Sequence, residues 1–205
     1  MFHIISFFLG IMFIESICVK DGKAPLLDLH QNRMDRTYAF HYKVENPFSL
    51  ATFVEEVPPT ATFKLRIVYD HSIQQINHSL YIKRDVKTLQ VVSADDINYD
   101  FKYADRDELN SLHERRNKKD DIIIVKNDLV TDSFYSNLIF WDGDKWMTPI
   151  NNLLQGVRRQ YLINTKQIHP AKINVKDIFF YDKVGLINAM LDIDDINVSV
   201  ENVFM

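Results

Sequence analysis

The sequence predicts an α+β fold in two lobes with a cleft between them. Three observations carry that expectation: short runs rich in β-branched and aromatic residues, separate stretches of helical periodicity between them, and the absence of any internal repeat or low-complexity segment. A chain of 205 residues, 46% hydrophobic and 25% charged, lies in the ordinary globular range and is long enough for a sizeable core. The expected division places a small lobe at residues 1–95, with 1–11 as an extension, and a larger lobe at 96–205.

The N-terminal run MFHIISFFLGIMFIESI invites comparison with a signal peptide, since its apolar core has about the length of an h-region. No Lys or Arg precedes that core and no A-x-A site follows, and it is shorter than the ~20 apolar residues that a membrane span requires. The preferred reading starts the folded domain at Met12, with Phe13 to Val19 as a buried strand. Leu26, Leu29, Met34, Tyr38 and Tyr42 then recur at helix-like intervals, predicting a helix over Leu26 to Tyr42. Ala61 to Tyr69, Ser79 to Ile82 and Leu89 to Val92 read as strands, and Pro58-Pro59 as a bend rather than a boundary.

In the second half, Arg106 to Asn117 reads as a helix. Ile122 to Val125, Asn137 to Trp141 and, after the turn Asp142-Gly143-Asp144, Lys145 to Thr148 read as the strands of a meander. LLQGVRRQYLINT predicts a loop ending at Gly156 and a helix over Val157 to Asn164; Val175 to Tyr181 is a further helix, and Leu186 to Met190 a final buried strand.

Charge and composition exclude several classes of partner. A net charge of -4 and a pI near 6.0 create no field for nucleic acid or anionic lipid, and Lys118 and Lys119 are followed at once by Asp120 and Asp121. Neither a nucleic-acid nor a membrane partner is expected. The single cysteine, Cys18, excludes an internal disulfide and any multi-cysteine metal site, which suits a reducing, cytoplasmic setting. All five glycines are isolated, so neither a dinucleotide fingerprint nor a P-loop is present.

Four features could carry chemistry, each with a plainer alternative. Lys102 lies between Phe101 and Tyr103, side chains that could desolvate it and favour the neutral amine, although such a lysine is more often a solvated or snorkelling charge. In VTDSFYSNLIF, Asp132 is either a turn residue or a carboxylate aimed into a cleft, and Asn137 opens the next strand. In LLQGVRR, Gly156 precedes a helix whose first N–H groups are free to meet phosphate, a weak signal taken singly. In HQNRM, His30 and Arg33 stand one turn apart, and Arg33 either forks onto a phosphate or pairs with a carboxylate.

In this order, and together with the W-x-TP turn at Trp146 to Pro149, these motifs resemble the class IV aminotransferase family, the pyridoxal-phosphate enzymes of fold type IV. The resemblance runs from Met12 to Met190. It implies a two-lobed fold of the D-amino-acid aminotransferase kind, with pyridoxal 5'-phosphate in the cleft. By resemblance, Lys102 carries that cofactor as a Schiff base and serves as general acid and base. Arg33 grips the phosphate with the N–H groups of Val157 and Arg158, Gly156 shapes that helix end, and Asn188-Ala189 line the far side of the pocket. Asp132, with Asn137 beside it, pairs with the pyridine nitrogen. A homodimer and a small amino substrate are implied in the same way.

YADR, the short length and LLQGVRR look most similar to the aminodeoxychorismate lyase branch, in which 4-amino-4-deoxychorismate yields 4-aminobenzoate and pyruvate on the way to folate. The competing expectations are a D-amino-acid or branched-chain aminotransferase and a non-catalytic binding module with the same fold. Departures accompany the likeness: Asp132 stands where most members carry glutamate, Arg158 where a small or neutral residue is common, and Cys18 where some members have an arginine near the substrate carboxylate. Arg66, in KLRIVY, is the expected substitute for that last contact.

Overall fold

The computed structural model describes residues 10–205; the expectation for the N-terminal extension falls, for residues 1–9, outside the described residues. The first strand, β1 (Phe13–Lys20), alternates as a half-buried strand should: Phe13, Ile17 and Val19 enter a core cluster while Ser16 and Cys18 stay partly exposed on the other face. Helix α1 (Leu27–Thr37) follows and continues through a π-helical turn over Tyr38–Tyr42, which realises the expected helix with its last turn widened. Its Met34 and Tyr38 pack beneath the sheet, and a short helix α2 (Leu50–Val54), for which the sequence offered no periodic run, closes the same cluster with Leu50 and Val54.

Strands β2 (Thr62–Tyr69) and β3 (Ile73–Leu80) complete an antiparallel sheet of order β1-β2-β3. β3 begins well before the expected Ser79. The turn that starts it is closed by the Asp70 N–H on the Ser72 carbonyl at 3.0 Å and the Ser72 N–H on the Asp70 carboxylate at 2.9 Å. Its largely polar, exposed sequence IQQINHSL hid it from a search for apolar runs.

The rest of the chain builds two more sheets. β4 (Leu89–Ser93) is followed by α3 (Asp107–Glu114), β5 (Asp121–Lys126) and the two-residue β6 (Leu129–Val130). Next come β7 (Asn137–Trp141), β8 (Trp146–Pro149), α4 (Val157–Asn164), β9 (Ile168–Ala171), β10 (Lys183–Ile187), β11 (Asn197–Ser199) and β12 (Val203–Phe204). The sheet orders are β12-β4-β5-β6 and β11-β10-β7-β8-β9.

The expected meander is therefore corrected. β5 pairs in parallel with β4, which the sequence reading sets before the division at residue 95, while the β7–β8 hairpin belongs to the other sheet. A run such as DIIIVK, buried through its first five residues, is what a parallel, two-face-covered strand looks like. Leu89, Ile123, Leu138, Phe140, Val184 and Leu186 join the two sheets in one core, each fully buried side chain contributing ~1.5–3 kcal/mol.

Two further expectations change. Val175–Phe180 forms a 3₁₀ helix rather than an α-helix, started by a reciprocal Asn174–Asp177 cap. The last strand stops at Ile187, because the Asn188 side chain accepts the Met190 N–H at 2.8 Å and turns the chain. No helix among the described residues is long and apolar enough to cross a membrane.

Candidate functional site

Lys102 is placed by backbone rather than by side-chain packing. Its segment lies along the free edge of β1: the Ile14 N–H donates to the Lys102 carbonyl at 2.9 Å, the Ala104 N–H to the Met12 carbonyl at 2.8 Å, and Phe13 pairs with Tyr103. Strand-like alternation then sends Phe101 and Tyr103 onto the core cluster beneath β1 and leaves Lys102 at a cavity of about 650 Å³. Burial lowers the Lys102 amine to about 7; the positive charge of Arg33 adds to that, Glu15 opposes it, and Arg106 and Arg66 contribute in the same sense as Arg33.

The sign has a direct consequence. A lysine near its model value of ~10.4 is almost wholly protonated at neutral pH. Labelling of Lys102 by an aldehyde with borohydride, read by peptide mass spectrometry, is expected to rise with pH around a midpoint near 7. A midpoint near that of the surface lysines would refute it.

Arg33, Arg66, Asp132, Asn137, Gly156, Val157, Asn188 and Ala189 all border the same cavity. Arg33 comes from the buried face of α1, where its guanidinium meets Glu15. Asp132 follows β6 and is held by three donors: the Asn137 side-chain amide on Oδ1 at 2.8 Å, and the Leu153 and Leu154 N–H groups on Oδ2 at 3.0 and 2.9 Å. A carboxylate offers about four acceptor positions, so one remains for a ligand. Burial raises Asp132 to about 6 despite those hydrogen bonds, which act to lower it.

Gly156 has a steric reason. A Cβ there would collide with the Asn137 Oδ1, and Asn137 is the residue that braces Asp132 while also donating to the Leu154 carbonyl at 2.9 Å. The glycine N-caps α4 in an extended conformation with no side-chain cap, so the first-turn N–H groups of α4 are open to an anion. Val157 is at the cavity. The Arg158 side chain is not; it turns away to Asp192 at 2.9 Å, so its extra charge is drawn off from the place where a phosphate would sit.

Arg66 reaches the cavity from β2, on the face it shares with Lys64, and no ion pair among the described residues engages it. Asn188 and Ala189 lie in the turn after β10. The Asn188 amide donates to Ser136 Oγ at 3.0 Å, tying that turn to the loop that carries Asp132.

Several participants escaped the sequence reading. Glu15 was signalled only as a lone acid inside the apolar run FIESICV, and it is fully buried. Arg106 also borders the cavity. It lies 4.9 and 4.5 Å from the rings of Phe134 and Tyr135 and donates to the Tyr99 hydroxyl at 3.2 Å and the Phe134 carbonyl at 2.6 Å. The Leu153 and Leu154 amides, being backbone, leave no trace in residue identity.

One cavity thus holds a neutral-leaning amine, a guanidinium and a helix N-terminus suited to an anion, and a carboxylate with one acceptor position left. That donor set fits a phosphorylated aromatic aldehyde with a basic ring nitrogen. Among the described residues no cluster of His, Cys, Asp or Glu is arranged for a metal ion.

Comparison with known proteins agrees. Residues 12–197 match the amino-transferase class IV family. An uncharacterized protein of Haemophilus influenzae is 36% identical over 181 residues, covering 86% of this chain and 96% of its own. Among solved structures, "a putative 4-amino-4-deoxychorismate lyase" from Haemophilus somnus 129PT superposes with a TM-score of 0.83 at 30% identity, covering 88% of this chain and 96% of its own. A PLP-bound hypothetical aminotransferase from Mycobacterium tuberculosis has a TM-score of 0.76 at 17% identity, covering 95% of this chain and 82% of its own, and shares the fold.

Proposed function

The chain belongs to the class IV aminotransferase family, and we propose that within this pyridoxal-phosphate-dependent family it is a lyase converting 4-amino-4-deoxychorismate to 4-aminobenzoate and pyruvate. The observation that carries the proposal is the convergence of Lys102, Arg33, Asp132 and the α4 N-terminus on one cavity. The lyase assignment within the family draws its support from the likeness to the Haemophilus somnus structure.

Pyridoxal phosphate, when bound, supplies an aldehyde that captures the substrate amine and a ring that withdraws electrons from the carbon beside it. Arg33 and the first-turn N–H groups of α4 hold the phosphate, with Asn188-Ala189 on its far side. Asp132 keeps a proton on the ring nitrogen through its remaining acceptor position, and Asn137 keeps the carboxylate turned toward it. Lys102 Nζ, with a substantial neutral fraction near pH 7, takes the proton from the carbon that bears the substrate amine. Arg66 and Lys64, on the cavity face of β2, bind substrate carboxylate, with Arg66 in the role that Cys18 cannot fill. A homodimer belongs to the same proposal.

Release of 4-aminobenzoate from 4-amino-4-deoxychorismate by the purified, cofactor-supplied protein is the expected result. Amino-group transfer from a D- or branched-chain amino acid to a 2-oxo acid, without any such release, would overturn the lyase reading in favour of an aminotransferase.

A further inference from the structure

Glu15 has no place in the mechanism above, yet it is fully buried, and the surroundings of its carboxylate are specific. On β1 its neighbours Ile14 and Ser16 border the cavity, whereas Glu15 points to the opposite side, among Phe13, Ile17 and the residues of α1. A carboxylate placed in an apolar cluster must be compensated there. Arg33 does so with two parallel bonds, Nε on Oε1 at 2.7 Å and Nη2 on Oε2 at 2.5 Å, and the His30 ring adds a third at 2.6 Å.

The fork leaves Arg33 Nη1 without a protein partner among the described residues, while the residue as a whole borders the cavity. A long side chain that would otherwise sample many rotamers is thereby held in one plane with one nitrogen to offer. We propose that Glu15 is a positioning residue for the cofactor phosphate: it fixes the Arg33 guanidinium so that Nη1 is presented to the phosphate. The proposal rests on the pyridoxal-phosphate reading of the cavity.

The alternative role, mere charge balance, predicts the opposite sign. If Glu15 served only to offset the charge of Arg33, removing its own charge would leave a freer cation and tighten phosphate binding. If it positions Arg33, phosphate binding must weaken even where the negative charge is retained, since moving the carboxylate by one methylene breaks the two-bond fork.

The test measures the affinities of pyridoxal phosphate and of pyridoxal, which lacks the phosphate, by absorbance titration of the full chain. Wild type, Glu15→Gln and Glu15→Asp are compared. The expected result is pyridoxal phosphate affinity reduced about tenfold or more in both variants, the scale of a lost charge-assisted hydrogen bond, with pyridoxal affinity within about twofold of wild type. Glu15→Asp keeps the buried charge and stands in should Glu15→Gln fail to fold. Unchanged or tighter pyridoxal phosphate binding in either folded variant overturns the positioning role. So does an equal loss for both ligands, which would mean general damage. A wild type that shows no preference for the phosphorylated form overturns the cofactor reading itself, and this proposal with it.

Discussion

Lys102→Ala is expected to abolish the absorbance band of bound pyridoxal phosphate that survives gel filtration of the wild type. It should also reduce turnover by about 10²–10⁴-fold, the range for loss of a positioned acid–base group, with loss of the covalent link adding to it. The structure supports a clean interpretation. The Lys102 side chain makes no hydrogen bond or ion pair among the described residues, and its backbone contacts to β1 run through main-chain atoms that alanine keeps. Circular dichroism should therefore stay close to wild type while chemistry is lost, and the melting temperature near pH 7 should not fall, because the unfavourable burial of the amine goes with it. Removing a base held near neutral by burial also removes its pH dependence. Between about 7 and the ordinary lysine value the unfolded chain binds the extra proton, so the cofactor-free wild type gains stability as pH rises through that window. The variant should lack that part of the slope, which denaturant melts at a series of pH values would reveal.

Asp132→Asn is expected to damage both stability and turnover. The carboxylate accepts three bonds, and an asparagine can place only one oxygen among those donors, so its NH₂ must face either the Asn137 amide or the Leu153 and Leu154 N–H groups. A buried polar group left unpaired in this way costs ~1–3 kcal/mol, visible as a lower denaturant midpoint with an unchanged slope. Turnover should fall by about 10²-fold, the scale for removal of one preorganised electrostatic partner, while the absorbance band of bound cofactor persists because Lys102 and Arg33 are untouched. Loss of the band together with activity would contradict the role given to Asp132.

Local pattern and physical structure agreed best where one residue type had to do one thing. β7 and α4 fall on the residues expected of them, because each begins at or beside a residue with a single role, Asn137 bracing Asp132 and Gly156 clearing space for Asn137. The ends of β3 and β10 were illegible for the opposite reason. In β3 backbone pairing with β2 carries the strand through polar residues, and after β10 an asparagine side chain competes with the ladder. The parallel pairing of β4 with β5 could not be read either, since it joins segments far apart in the chain.

Of the site residues that the likeness to a family suggested, all but Arg158 border the cavity, and the Arg158 side chain departs to another partner. Glu15 was missed because a single acid in a strand signals nothing until α1 is packed beside it. Arg106 was missed because its contacts are to rings and a carbonyl that only the folded loop assembles.

The seating of Lys102 on the open edge of β1 separates what reacts from what selects. The amine is located by bonds between main-chain atoms, with Phe101 and Tyr103 anchoring its segment to the core cluster beneath β1. Lys64, Arg66, Ser79 and Tyr81 approach the same cavity from β2 and the end of the β3 arm. Drift in that arm can retune which molecule is accepted without relocating the reactive nitrogen. On the proposed reading, inherited chemistry and acquired preference are thus carried on separate stretches of chain.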